Sequence, residues 1–373
     1  MRILLVSNYY PEHVGGIETV AASLALGYRK RGHEVRWIAG DIAMRPHARH
    51  GDDMPVRIWN GIERLGFPYP VPSPAAAIGL GRHVAWSQVV HLHDCLYALN
   101  VATFIASRRQ HRPVLLTQHV ANVPYPNPLL RGLQSAAYST IGRSVLSRAE
   151  QVVFVSERVR RWFEQRVDFK RPTKLIENGI DADVFHPPTD ESREAIRVGL
   201  GANGSRPILL FVGRLVEKKG VRLLRPLIEA TPWCDWLFIG RSGDVDPLMW
   251  RLPNLTLLAP MEPVRLRDHY AAADLLALPS SGEGFPVVAQ EAMACGTPVL
   301  LSEATAAGLP AIRDMVFTST LAHGDLEHAL RSALETVASD TGLRGRVALC
   351  AHQRWRADTM VERYVEQLEG LLR

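Results

Sequence analysis

Arg214 and Lys219 stand at either end of the run Gly213-Arg214-Leu215-Val216-Glu217-Lys218-Lys219-Gly220, directly after an apolar stretch that reads as a strand. Two cations where a loop passes into a helix can clamp a diphosphate and neutralise the charge that develops as it leaves. A solvated basic turn is the plain alternative. The chain has only five lysines, and two of them fall in this turn, which favours the anion-binding reading. A second run, Pro279-Ser280-Ser281-Gly282-Glu283-Gly284-Phe285-Pro286, follows another strand and opens a helix that reaches about Ala294. Glu283 and Glu291 are eight residues apart, with Glu291 on that helix. A carboxylate so placed can accept both hydroxyls of a ribose. Gly284 leaves the backbone bare beside it, and Phe285 offers an N–H that Pro286 cannot. The competing reading is a helix start decorated with acids to suit its dipole.

The remaining candidates lie in the first half. His91-Leu92-His93-Asp94 ends one strand and Gln118-His119 ends the next. His91 and His93 share a strand face. A metal would need a third ligand, from Asp94 or His119; strand-end histidines are more often hydrogen-bonded polar residues lining a cleft, and no metal is expected. Gly15-Gly16 falls between the first strand and a helix, where backbone amides and a helix N-terminus suit an anion, a plain loop being the alternative. The pattern is not G-x-G-x-x-G, which disfavours a nicotinamide-dependent dehydrogenase. The sequence has no H-E-x-x-H helix, G-x-S-x-G elbow or Walker A loop, so protease, esterase and P-loop ATPase readings lack support. Cys95, Cys234, Cys295 and Cys350 are scattered, with no C-x-x-C pair, and read as buried reduced thiols.

The elements that must carry these residues alternate between strand and helix. Arg2 to Val6 is a strand, the helix after Gly16 stops at Gly32, and Glu34 to Ala39 is the next strand. That is a βαβ unit, hence a parallel sheet. Val89 to His93, Pro113 to Thr117 and Gln151 to Val155 continue it, with a helix from Tyr97 to Ser107. Pro68 to Pro74, with four prolines in seven residues, reads as an extended surface loop. Periodicity lapses between Lys174 and Pro207, which marks a domain boundary. The alternation then restarts, with strands at 208–212, 236–239, 255–258, 275–278 and 298–301. The fold class is α/β: two doubly wound Rossmann-like domains facing across a cleft, where such folds bind ligands at the carboxyl ends of their strands. A length of 373 residues fits two domains, and 47% hydrophobic with 22% charged residues excludes a disordered or fibrous chain.

Taken in order, five segments resemble the retaining GT-B nucleotide-sugar glycosyltransferases of glycosyltransferase family four. They are GGIETVAASLALGYRKRGHEV, ENGIDADVFHP, FVGRLVEKKG, YAAADLLALPS and GEGFPVVAQEAMACGTPV, and they span nearly the whole chain. The resemblance implies an acceptor-binding domain at 1–185, with a C-terminal helix at 356–373 packing back on it, and a nucleotide-sugar domain at 186–355. It gives Arg214 and Lys219 the diphosphate, Glu291 the ribose, and Glu283 the donor sugar with the Gly284 and Phe285 amides beside it. Gly16 falls near the phosphate, His119 beside the donor sugar, and Met261 in the segment that meets the base. Glu18, His93 and Asp94 fall where acceptor contacts are usual. No cofactor or metal is implied. Two loops depart from the family: Gly240-Arg241-Ser242-Gly243-Asp244 replaces a Gly-Asp-Gly-Pro turn, and Gly308-Leu309-Pro310 runs into Ala311. The reaction expected is sugar transfer, favouring a UDP-sugar over GDP-mannose, to a glycan or lipid-linked acceptor in cell-surface polysaccharide or glycolipid synthesis. A sugar-nucleotide-binding regulator without turnover is the alternative from another class.

Charge is uneven. Residues 1–173 hold 22 Lys and Arg against 12 Asp and Glu, while the rest hold 21 against 26. Such asymmetry points to an anionic partner for the first half, a membrane surface or an acidic substrate, with nucleic acid not expected; a solvated basic surface in an Arg-rich chain is the plain alternative. Arg131, Arg143 and Arg148 share a helical stretch with Leu129, Leu130, Leu133, Ile141, Val145 and Leu146, the mark of a membrane-surface segment; a core-facing helix with a basic back is the alternative. No run is apolar for the roughly 18 residues of a spanning helix, and the apolar start is too short for a signal peptide. A cytoplasmic enzyme, peripheral on the inner face of the membrane, is the expectation.

Overall fold

The computed structural model describes residues 1–11, 15–41, 52–59, 61, 69–121, 127–201, 206–281, 286–308 and 310–373. The chain divides into two compact units, Met1–Gly179 with Ala357–Arg373, and Ile180–Arg356.

The first unit is built on an eight-stranded sheet: β1 (Arg2–Tyr9), β2 (Glu34–Asp41), β3 (Asp53–Trp59), β4 (Val71–Pro72), β5 (Val89–His93), β6 (Val114–Gln118), β7 (Gln151–Phe154) and β8 (Lys174–Leu175). Their order is β4-β3-β2-β1-β5-β6-β7-β8. All pairs are parallel except β3 with β4. Strands β5 and β6 are buried along their whole length, as helix cover on both faces requires; they start apolar and carry polar residues, His91 and His93, Thr117 and Gln118, toward their carboxyl ends. The helices are α1 (Gly16–Lys30), α2 (Pro74–Trp86), α3 (Ala98–Arg109), α4 (Pro128–Ala137), α5 (Arg143–Leu146) and α6 (Glu157–Glu164), with a π-helical turn, Tyr138–Gly142, joining α4 to α5.

The proline-rich stretch corrects the loop expected there. Val71 and Pro72 pair antiparallel with Trp59 and Ile58 at the sheet edge, and Pro74 starts α2. Both are positions where the missing N–H costs nothing.

The terminal helix, Ala357–Glu369, lies against α1 in this unit. A Cβ on Gly27 would fall 2.4 Å from Val361, so the two helices meet at backbone distance. Gly179 donates its N–H to Met360 Sδ at 3.0 Å, whereas Ile180 donates to the Trp355 carbonyl at 2.6 Å. The chain therefore passes between units at 179/180 and returns at 356/357, rather than at 185/186 and 355/356 as expected. The hydrogen-bonded pair Ile180 and Trp355, not the later Pro187-Pro188, closes the second unit.

That unit holds six parallel strands, β9 (Ile208–Val212), β10 (Asp235–Ile239), β11 (Leu255–Leu258), β12 (Leu275–Leu278), β13 (Val299–Ser302) and β14 (Phe317–Ser319), in the order β11-β10-β9-β12-β13-β14. Its helices begin with α7 (Asp190–Gly199), where sequence periodicity had lapsed, and continue through α8 (Val221–Ala230), α9 (Pro263–Ala272) and α10 (Val287–Ala294). Both sheets are doubly wound, and in both the strand order reverses beside the first strand: between β1 and β5, and between β9 and β12. Ligands bind outside the carboxyl ends of strands at such switch points.

Candidate active site

In the first unit the switch point gathers the tip of β5, the tip of β6 and the start of α1. His93 and Asp94 leave β5, and His119 follows β6. His93 Nδ1 lies 2.8 Å from His119 Nε2, the rings stacked with centroids 5.1 Å apart. The His119 backbone N–H donates to Asp94 Oδ1 at 3.1 Å. Asp94 takes φ +71°, a left-handed turn that an Asp tolerates better than most residues. Asn100, on α3, donates to the carbonyls of both His93 and Asp94 and so fixes the turn.

Behind this layer His91 is bonded at both ring nitrogens: Tyr28 Oη lies 3.1 Å from Nδ1 and Thr117 Oγ1 2.8 Å from Nε2. Thr117 also reaches Tyr364 Oη on the terminal helix at 3.1 Å. Burial in this apolar shell pushes His91 and His119 down to about 3 and His93 well below its ordinary range, so all three are neutral at pH 7. Burial raises Asp94 to about 7, and Glu18 on the first turn of α1 adds to the rise by like-charge repulsion. Gly16 is the first residue of α1, and a Cβ on Gly15 would lie 2.1 Å from Glu18 Oε2, so the entry to the helix is closely wrapped by that carboxylate.

Among the described residues no group of His, Cys, Asp or Glu could hold a metal ion. His93 was expected to contact the acceptor; it is 0% exposed and bonded to His119, so it backs the site rather than faces a ligand.

In the second unit the basic turn leaves β9. Glu217–Lys219 forms one 3₁₀ turn, Gly220 takes φ +74°, and α8 follows. The turn is pressed onto its neighbours: a Cβ on Gly220 would lie 2.1 Å from the Pro279 carbonyl, and one on Gly240 1.8 Å from that of Gly213. Ser281 donates its N–H to the Lys218 carbonyl at 2.9 Å. The Lys219 end of the turn is thereby held against Pro279–Ser281, after β12, and the Arg214 end against Gly240 and Arg241, after β10. On α10, Glu291 is buried, and Tyr270 donates its hydroxyl to Oε2 at 2.9 Å. Burial raises this carboxyl to about 7, against a smaller lowering by the Tyr270 bond. Met261 follows β11 and rests half-buried on the core. Glu283, Gly284 and Phe285 lie outside the described residues.

A family model described as Glycosyltransferase Family 4 matches residues 14–184, and one described as Glycosyl transferases group 1 matches residues 206–340. The chain belongs to glycosyltransferase family 4. This family-4 glycosyltransferase is 29% identical over 294 residues to a D-inositol 3-phosphate glycosyltransferase of Xylanimonas cellulosilytica, covering 72% of this chain and 67% of that one. Among solved structures, sucrose-phosphate synthase from Thermosynechococcus elongatus matches with a TM-score of 0.80 at 18% identity, over 100% of this chain and 99% of that one. Anabaena HepE in complex with UDP and glucose matches with a TM-score of 0.75 at 20% identity, over 100% of both chains. The fold of the family-4 enzyme is GT-B.

Three supporting residues escaped the sequence reading. Tyr28 and Tyr270 lie within segments that carry the resemblance and Tyr364 does not, but the bonds of all three join residues distant in sequence, and only the fold singles them out. The basic helix was anticipated in part. Leu129 and Leu133, one turn apart on α4, are 78% and 64% exposed, and Arg131, Arg143 and Arg148 are exposed as well. Val145 and Leu146 instead enter the core of the first unit. No helix among the described residues is long and apolar enough to cross a membrane.

Proposed function

We propose that this family-4 enzyme moves a sugar from a nucleoside diphosphate donor to a hydroxyl of a glycan or lipid-linked acceptor, with retention at the anomeric carbon. One observation carries the reading: the Ser281 to Lys218 hydrogen bond at 2.9 Å joins the turn that bears Arg214 and Lys219 to the segment after β12, and Glu291 stands on the next helix, α10. Diphosphate and ribose of a single molecule match that pairing of cations and carboxylate.

The C1–O bond of the donor breaks with its electron pair passing to the phosphate oxygen. Arg214 and Lys219 neutralise that oxygen as charge develops. The acceptor hydroxyl adds to the oxocarbenium-like carbon on the same face, and its proton passes to the leaving phosphate. Catalysis then consists of positioning and leaving-group stabilisation. Following the resemblance, Glu283, Gly284, Phe285 and His119 serve the donor sugar, Gly16 the phosphate and Met261 the base. Glu18 and Asp94 meet the acceptor. The two cations and a helix N-terminus take the part a divalent metal plays in other transferases, so no metal enters the step.

A thermal-shift panel of UDP, GDP, ADP and their sugars tests the reading, because a ligand that binds only the native state stabilises it by mass action. One nucleotide and its sugar should raise the midpoint together, UDP being the first to try. Indifference to the whole panel contradicts the reading. A shift without sugar transfer to any hydroxyl would favour the regulator.

For the partner surface, we propose that α4 docks on anionic membrane. The support is the solvent-facing Leu129 and Leu133 beside exposed arginines, in a half of the sequence with excess positive charge.

A further inference from the structure

We infer that His93 is a positioning residue that holds His119 in one tautomer, with its proton on Nδ1, so that His119 meets its ligand as a hydrogen-bond donor. This rests on the proposed contact between His119 and the donor sugar.

His93 and His119 are both neutral, because burial disfavours the charged ring. A neutral imidazole carries one N–H and one bare nitrogen. His93 Nδ1 and His119 Nε2 are 2.8 Å apart, so one of these two nitrogens donates and the other accepts. Suppose His119 Nε2 held the proton. His93 would then have to carry its own on Nε2, and His93 Nε2 is buried with no hydrogen-bond partner. A buried N–H without an acceptor is the rarer and costlier defect; a bare acceptor nitrogen is tolerated more readily. The proton between the rings therefore belongs to His93 Nδ1. His119 Nε2 accepts it, and the His119 proton is confined to Nδ1.

The surroundings fix the donor ring in place. His93 sits against His91, centroids 4.6 Å apart, and His91 is locked from both sides by Tyr28 and Thr117. The Asn100 amide ties down the His93 carbonyl. The His119 backbone is anchored in turn on Asp94 Oδ1. Turning either ring over would carry its nitrogen away from the other and break the His93–His119 bond itself. The ligand atom that His119 Nδ1–H recognises is consequently an acceptor: a sugar hydroxyl oxygen or a phosphate oxygen.

Nitrogen-15 NMR of histidine-labelled wild-type protein reads the tautomer directly. His119 assigned by comparison with His119→Gln should show protonated Nδ1 and bare Nε2. Protonated Nε2 on His119 overturns the inference whatever the enzyme's substrate. Kinetics supply the second arm. The Asn side-chain amide places an N–H near the position of Nδ1, so His93→Asn retains the donor, while His93→Leu removes it. Loss of one neutral hydrogen bond in the transition state corresponds to about 10-fold in kcat/KM for His93→Leu, with His93→Asn close to wild type. Equal activity of the two variants also overturns the inference. If His119→Gln transfers sugar at the wild-type rate while NMR shows the Nδ1 tautomer, the donor contact fails and the tautomer assignment stands.

Discussion

Tyr270, on α9, donates its hydroxyl to Oε2 of Glu291, on α10, across 2.9 Å, and Phe185 packs edge-on against the tyrosine ring at 6.0 Å. The carboxylate proposed to hold the ribose is thus oriented by a residue 21 positions away in sequence. It is also desolvated, which sets a pH dependence. Its carboxyl rises from 4.5 to about 7 on folding. Between those values the native state holds a proton that the unfolded state has lost. The stability this site contributes is full below 4.5 and is lost as pH rises through about 7.

Glu291→Gln cannot ionise, so its stability relative to wild type should climb across that window by about 3 kcal/mol at most. Nucleotide binding should move the other way, weakening in the variant. Denaturant midpoints below pH 4.5 and above pH 7, for both proteins, check the first statement; a constant difference between them contradicts it.

Arg214→Ala should cut turnover by about 100-fold or more, the usual consequence of removing a preorganised stabiliser of developing charge. The measurement is steady-state transfer on protein shown to be folded by circular dichroism. A near wild-type rate removes Arg214 from the leaving group.

Gly220→Ala should destabilise the second unit by about 1–3 kcal/mol. Its left-handed φ of +74° disfavours a side chain, and the new Cβ would press into the Pro279 carbonyl. Because the same turn carries Lys219, activity should fall further than stability alone accounts for. An unchanged unfolding midpoint would show that the turn relaxes freely.

Liposome co-sedimentation tests the membrane face. Each basic residue near an anionic surface adds about 1 kcal/mol, screened by salt. Binding to anionic but not neutral vesicles is expected, weakened by salt, by Leu129→Ser with Leu133→Ser, and by neutralising Arg143 and Arg148. Equal recovery in the supernatant with both vesicle types contradicts the docking proposal.

Where sequence signals were local, they were legible. Strands such as Ile208–Val212 and Leu275–Leu278 are short apolar runs, and their ends match the structure residue for residue. The basic turn was visible because Gly213 to Gly220 concentrates glycine and scarce lysine in eight residues. The edge strand Val71–Pro72 was not legible: it is two residues long and owes its form to Ile58 and Trp59 opposite. Helix α7 was hidden by the prolines at 187 and 188, although Thr189 caps its start by accepting the Ser192 N–H at 3.2 Å. The histidines illustrate a deeper limit. His91, His93 and His119 look alike in sequence, but folding braces His91 at both ring nitrogens and joins His93 to His119. That assignment depends on Tyr28, Thr117 and Tyr364, which lie as far apart as the two ends of the chain.

The central claim is retaining sugar transfer from a nucleoside diphosphate donor without a metal. Proton NMR of the purified product, formed from the donor that stabilises the protein, in the presence of EDTA, tests it most directly. The account predicts a new glycoside whose anomeric configuration equals that of the donor, at an undiminished rate. An inverted anomeric centre, or activity lost to EDTA and restored by Mg²⁺ or Mn²⁺, would contradict it.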